Sequence, residues 1–249
     1  MHNKTNRYMK IATAALIIFC STSVYAYQVK NTSNGSEVRW NTNNVKIVLD
    51  HSLSSIGPFE DVQNVIISAF YEWVDVADLP VEFEFSTGDC ASIGYQPVGE
   101  NENCVTADSD IFEESHAAAR SFVSYDDSTG NIKDADIVIK SGHSNWSVGE
   151  QEGRLDLKSA VLHEVGHVLG LAHTDVEEAV MIPEISSEIK INNLYNDDIS
   201  GAQALYEDME PFKNVSCSST NIGTSNQIPF FILGIVLLTL FRKTQKRSI

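Results

Sequence analysis

The stretch that decides this chain is 163-HEVGHVLGLAH-173. On an α-helix, His163 and His167 stand four residues apart and project from one face, so their imidazoles can reach one ion together. Glu164 lies beside the first histidine and points near the same side, where its carboxylate can meet a water held by that ion. Gly170 can take the positive φ that stops the helix and reverses the chain. The reversal would bring His173 round as a third ligand. Three neutral imidazoles and one open position describe a catalytic zinc site, because a structural zinc is closed by four protein ligands. The bland alternative for one such histidine is a packed core side chain. Here five positions are fixed, and their chance joint occurrence is on the order of 10⁻⁵. The remaining histidines, His2, His51, His116 and His143, are read as solvated or structural.

Outward from the motif the chain reads as one mixed α and β domain. The motif helix is expected over Leu157–Leu169, with Asp156 as N-cap and Gly170 as terminator. Upstream, VKIVL at Val45–Leu49 is a short strand. Pro58 opens a helix over Phe59–Trp73, whose stripe of Val62, Val65, Ile66, Ala69, Phe70 and Trp73 has a 3.6-residue period. VEFEF at Val81–Phe85 alternates as a strand with one wet face. Ala117–Tyr125 and Ile132–Lys140 are strands around the turn Asp127-Ser128-Thr129-Gly130. Residues 89–115 read as an acidic loop. A last helix is expected over Asp197–Tyr206, with Asn196 as its cap.

Taken with its surroundings, the motif resembles the metzincin metalloprotease signature His-Glu-x-x-His-x-x-Gly-x-x-His. Met181, eight residues after His173 in Ala179-Val180-Met181-Ile182-Pro183, resembles the methionine turn of the matrixin branch. Arg39-Trp40, Ala69–Trp73, Asp136–Ile139 and Asp197–Tyr206 are similar to further matrixin segments, so the likeness covers roughly 38–210. The resemblance implies an α+β catalytic domain: a twisted mixed sheet, an active-site helix, a long N-terminal helix and a C-terminal helix. It implies zinc on His163, His167 and His173, Glu164 as general base, and a hydrophobic floor from Met181. Gly170 and Pro183 would shape the surroundings of the site, and substrate would lie extended along an edge strand within Ala117–Tyr125.

There are departures from the family pattern. Residues 27–37 contain no cysteine, so a Cys-switch is not expected there. No His-rich loop for a second zinc is visible; Asp136, His116 and His143 would make only a different site. Ile185 replaces a wall-forming tyrosine, so the specificity pocket does not carry over. Pro183 stands where astacin-like members place a tyrosine ligand. Calcium is a candidate from Asp108, Asp110, Asp126, Asp127, Asp134 and Asp136, against the plainer reading of a solvated acidic surface.

The two ends read as addresses. Lys4, Arg7 and Lys10, the apolar Ile11–Phe19 and Val24-Tyr25-Ala26 have the form of a signal peptide, residues 1–26. Phe19 before Cys20 is too bulky for a lipoprotein signal. The domain then occupies 27–212, a Ser/Thr/Asn-rich stalk 213–227, and a hydrophobic anchor or sorting tail with a basic end 228–249. The expected location is the cell surface, or the medium after C-terminal processing. In an exported chain Cys90 and Cys104 are candidates for a disulfide, worth about 3 kcal/mol over a loop of ~15 residues; Cys217 is left over.

The chain has 249 residues and a net charge of −17. All 34 acidic residues fall in 27–227, with ten basic ones, a net −24. Such a body repels phosphate backbones, which excludes nucleic acid as a partner. The function expected is an exported zinc endopeptidase acting on protein or peptide substrates. The alternatives are a zinc-stabilised surface adhesion or recognition module with vestigial proteolysis, and a hydrolase of small molecules or single peptide bonds.

Overall fold

The computed structural model describes residues 26–98, 101–112, 117–142, 145–149, 151–183 and 191–210. The chain divides into Met1–Phe212 and Lys213–Ile249, and the second unit lies outside the described residues. So do most of the signal segment, His116, His143, Ile185, Cys217 and the hydrophobic tail.

Strand β1 (Asn44–Asp50) buries Val45, Ile47 and Leu49 at alternate positions. Helix α1 (Phe59–Ala77) runs one turn past the Trp73 expected from sequence, because Ala77 continues the buried stripe of Val62, Ile66, Ala69, Phe70 and Trp73. It stops at Asp78, which adopts the left-handed conformation (φ 51°). Strand β2 (Glu82–Gly88) returns parallel to β1.

Residues 89–115 are not simply a loop. Asn103–Asp108 forms β3, the middle strand of the sheet, parallel to β1 on one side and β5 on the other. The segment NCVTAD hid this because Cys104 to Ala107 are all buried, and a strand covered on both faces shows no alternation. Strand β4 (Ala119–Tyr125) pairs antiparallel with β5 (Ile132–Lys140), and the sheet order is β2-β1-β3-β5-β4. Among the described residues β4 is therefore an edge. Short strands β6 (Trp146–Ser147) and β7 (Leu155–Asp156) lead into α2 (Leu157–Leu169), whose cap and terminator are those expected. Helix α3 spans Asn196–Tyr206; its cap is Tyr195 rather than Asn196, with the Asp198 carboxylate accepting from the Tyr195 N–H at 2.8 Å. The result is an α+β domain with a mixed sheet, as the resemblance implies.

Helix α2 is buried along almost its whole length and is held by polar contacts as well as apolar ones. Trp73 donates its indole N–H to the Leu162 carbonyl at 2.9 Å, and Trp40 donates to that of Val168 at 3.0 Å. The Tyr206 hydroxyl donates to the Leu169 carbonyl at 2.8 Å. The last two satisfy carbonyls that the helix end leaves without intrahelical partners.

Elsewhere on the sheet, Cys90 and Cys104 are joined by a disulfide with a Cα–Cα distance of 6.3 Å. The loop it closes is pinned to β5 by Asp136, which is fully buried. Its carboxylate accepts from the Cys104 N–H at 2.7 Å and the Gly94 N–H at 2.5 Å. Asp134 is also buried, and its Oδ2 has no hydrogen-bond partner among the described residues. Burial and the Asp136 charge push its pKa up to about 7. Asp136→Ala leaves two amides without acceptors, one of them (Cys104) in a buried strand, and should cost about 2–3 kcal/mol. Thermal unfolding checks this, with Tm expected to fall by several degrees.

Candidate metal centre

The start of α2 is fixed by Asp156, whose carboxylate accepts from the Ser159 N–H at 2.9 Å and its hydroxyl at 2.7 Å. That sets the helical phase, and His163, Glu164 and His167 then fall on the side facing β4 and the turn around Met181. At the other end Gly170 has φ 104°, and a Cβ there would sit 1.9 Å from the Val38 carbonyl oxygen. Only glycine satisfies both conditions. The reversal returns the chain so that Leu171 bridges to Val29 and His173 comes back over the helix.

The three imidazoles converge. His173 Nε2 lies 3.2 Å from His163 Nε2 and 3.1 Å from His167 Nε2. His163 Nδ1 faces the Val180 carbonyl at 2.8 Å, and His167 Nδ1 faces that of Leu171 at 2.9 Å. A carbonyl only accepts, so in both rings Nδ1 carries the proton and Nε2 presents a lone pair to the centre. Burial lowers the pKa of His163 to about 3, assisted by its charged-state repulsion from His167, and that of His167 to about 4. Burial lowers His173 as well. The set is neutral at physiological pH. Lone pairs at these separations repel unless a cation lies between them, and a tetrahedral zinc with Zn–N of about 2.0–2.1 Å needs N–N edges of about 3.3 Å. The donor set fits zinc.

Glu164 is 6% exposed, and burial pushes its pKa up to about 7. Its carboxylate accepts a short hydrogen bond from the Ser121 hydroxyl, which also lies 3.0 Å from the Glu164 carbonyl oxygen. Ser121 is on edge strand β4, so the strand holds the acid directly. A cavity of about 450 Å³ opens beside Glu164 and His163, between Ala117–Ala119, Ala160 and Pro183. A second, of about 320 Å³, lies past the histidines against Lys30, Ser121 and Val123.

Met181 is buried beneath α2. A Cβ on Gly166 would meet its Sδ at 2.2 Å and the Trp73 ring at 3.0 Å, so the methionine fits only because residue 166 has no side chain. The turn is pinned by Asp198, whose carboxylate accepts from the Val180 N–H at 2.9 Å and the Met181 N–H at 3.1 Å. Beside it Asp197 accepts from Ala26 N–H, Tyr27 N–H and the Thr174 hydroxyl. Both acids sit in the first turn of α3, where the helix dipole favours negative charge.

Sequence reasoning missed Ser121, Gly166 and the pinning role of Asp197 and Asp198. Gly166 carried a signal, a glycine in mid-helix between two histidines; Ser121 carried none. The acids considered for calcium do not converge in threes among the described residues. Asp126 engages Ser128 and Lys133, Asp127 engages Ser33, and Asp108 accepts from Asp110 N–H. Asp136 serves backbone amides, and His51 sits 2.7 Å from Asp89.

Gly166→Ala is expected to displace Met181 and weaken zinc binding about 10- to 100-fold, as loss of support behind metal ligands does. Competition with a calibrated chelator measures it.

A model of the matrixin family (Peptidase_M10) matches residues 39–207. "Metalloendoproteinase 2-MMP" of Arabidopsis thaliana is 34% identical over 157 residues, 59% of this chain and 37% of that protein. "Metalloendoproteinase 1-MMP" of the same plant is 31% identical over 176 residues, 68% of this chain and 44% of that protein. "Matrix metalloproteinase-C" of Caenorhabditis elegans is 28% identical over 210 residues, 80% of this chain and 34% of that protein. The aligned stretch thus spans less than half of each relative. The family match covers more than half of this chain, and with the convergent histidines, the Gly170 reversal and the buried methionine turn, the chain belongs to the matrixin family.

Proposed function

We propose that this chain is an exported zinc endopeptidase that hydrolyses peptide bonds within protein substrates. The observation that carries the reading is three neutral Nε2 lone pairs converging beside a buried carboxylate, on a cleft bounded by an open sheet edge. A zinc ion on His163, His167 and His173 would supply Lewis acidity, polarising water and the scissile carbonyl.

The outer edge of β4 offers main-chain N–H and C=O groups to an extended substrate, which sets the peptide bond across the cleft. Glu164 accepts a proton from the attacking water and returns it to the leaving amine. The Ser121 hydroxyl occupies one carboxylate oxygen and keeps the other directed at the cleft. The cavity beside Glu164 receives the side chain next to the cut bond. Asp198 and Gly166 hold the methionine turn, and through Val180 the ring of His163, in place.

Export and surface attachment belong to the proposal too. They are supported by the basic, apolar and small-residue pattern of 1–26 and by the uncharged Ile228–Phe241 followed by RKTQKR. A module that used zinc only for stability would have no need of a carboxylate at the position of Glu164.

Incubating the zinc-loaded chain with denatured proteins should give chelator-sensitive internal cleavage. Terminal trimming alone would indicate a hydrolase of single bonds, and no cleavage would indicate a recognition module. Glu164→Gln should retain zinc and lose activity by about 10²–10⁴-fold, while His167→Ala should lose metal. Ser121→Ala should lower kcat several-fold with zinc content unchanged, and Ser121→Thr should recover much of it.

A further inference from the structure

The cavity past the histidines has a charge that the peptidase reading leaves without a role. It is lined by Lys30, Ser121, Val123, His167, Leu171 and His173. Lys30 is placed firmly: its N–H donates to the Gly170 carbonyl at 2.8 Å, and its own carbonyl accepts from Val38 N–H at 2.8 Å. The residue before it, Val29, bridges to Leu171. The same reversal that delivers His173 therefore fixes the root of the lysine side chain.

The ammonium rests over the Tyr125 ring, 5.1 Å from its centroid. An aromatic face orients a cation without neutralising it. No carboxylate among the described residues lies within ion-pair distance of Lys30. The acids that follow Tyr125 are engaged elsewhere, Asp126 by Lys133 and Asp127 by Ser33. Lys30 is half-buried and near enough to His167 to disfavour that imidazole's charged form, and an ammonium so placed with no carboxylate beside it among the described residues is a natural complement for an incoming anion.

Strand β4 connects the two cavities. Ala117–Ala119, at and just before its start, line the one beside Glu164, and Ser121 and Val123, further along, line the one with Lys30. A substrate pairing antiparallel to β4 enters with its amino-terminal part near Val123 and Tyr125 and leaves past Ala119. With about 3.3 Å per residue, a side chain reaching the ammonium over Tyr125 belongs to a residue about two or three positions before the cut bond.

We propose that Lys30, backed by Tyr125, forms a subsite for an acidic substrate side chain on the amino-terminal side of the scissile bond. The proposal rests on the peptidase reading for what the cleft holds. The occupant is a Glu or Asp of a protein substrate. The domain as a whole is strongly acidic and screens or repels anions at range, so the preference belongs to one position and not to acidic chains in general.

Peptidyl hydroxamates test this, because their chelating end fixes register at the zinc. A series carrying Glu or Gln in turn at each preceding position is titrated calorimetrically onto the zinc-loaded chain. One position, two or three residues before the chelator, should favour Glu by roughly five- to tenfold. Lys30→Gln, with zinc content and circular dichroism unchanged, should abolish that difference, and Lys30→Glu should reverse it. Equal affinity for Glu and Gln at every position overturns the proposal, as does a preference that survives Lys30→Gln. Turnover of denatured protein is measured alongside. Glu-selective binding without cleavage counts against the peptidase reading alone, and cleavage without any Glu preference counts against the subsite alone.

Discussion

The site depends on the reversal of the chain at Gly170. With φ at 104° and the Val38 carbonyl occupying the space of a Cβ, the turn closes α2 and sends the backbone back along it. His173 reaches the other two imidazoles only by this route. The same turn gives Leu171 and Gly170 to the segment Val29–Lys30, so the N-terminal segment of the domain and the third histidine are placed by one conformational event. An alanine there would meet both backbone strain and a backbone clash, and no rotamer change relieves either.

Around that turn the molecule spends buried polar groups on position. Asp198 holds the methionine turn and Asp197 holds residues 26, 27 and 174, both from the first turn of α3. The Trp40, Trp73 and Tyr206 side chains cap or brace α2 through its carbonyls. Each of these groups would be costly if left unpaired, and that cost makes the arrangement specific: a shift of α2 by a fraction of a turn would break several of them together. The imidazoles inherit this precision, since Val180 and Leu171 fix the rings of His163 and His167 through Nδ1.

The cleft is formed where the buried helix α2 meets β4, the edge strand among the described residues. Among the described residues β4 pairs with β5 on one side of the sheet's end, and its side chains reach the two cavities and Glu164 in succession. Charge is arranged unevenly there: neutral imidazoles at the centre, a buried acid held by serine, and an ammonium over tyrosine on the far side. The large negative charge of the domain as a whole says nothing of this local pattern.

Much of the site was legible because helical geometry is local. Spacing alone put His163 and His167 on one face with Glu164 beside them, and glycine chemistry alone marked the stop at Gly170. β5 and α2, buried almost throughout, were marked by the turn before β5 and by the cap, the terminator and the histidine motif of α2, whereas β1 and α1 read correctly because a half-buried strand and a stripe-buried helix display their period. β3 did not, because a strand buried on both faces has no period to display. Ser121, Gly166, Asp197, Asp198 and Lys30 gained their roles only when segments distant in sequence were packed together: a serine 43 residues from its glutamate, an aspartate 17 from the methionine it pins. The sequence by itself determined the ligand types, their order and the helix that bears them. The tertiary structure decided which groups support them and what charge faces the substrate, because those contacts are made across the fold and leave no trace in local spacing.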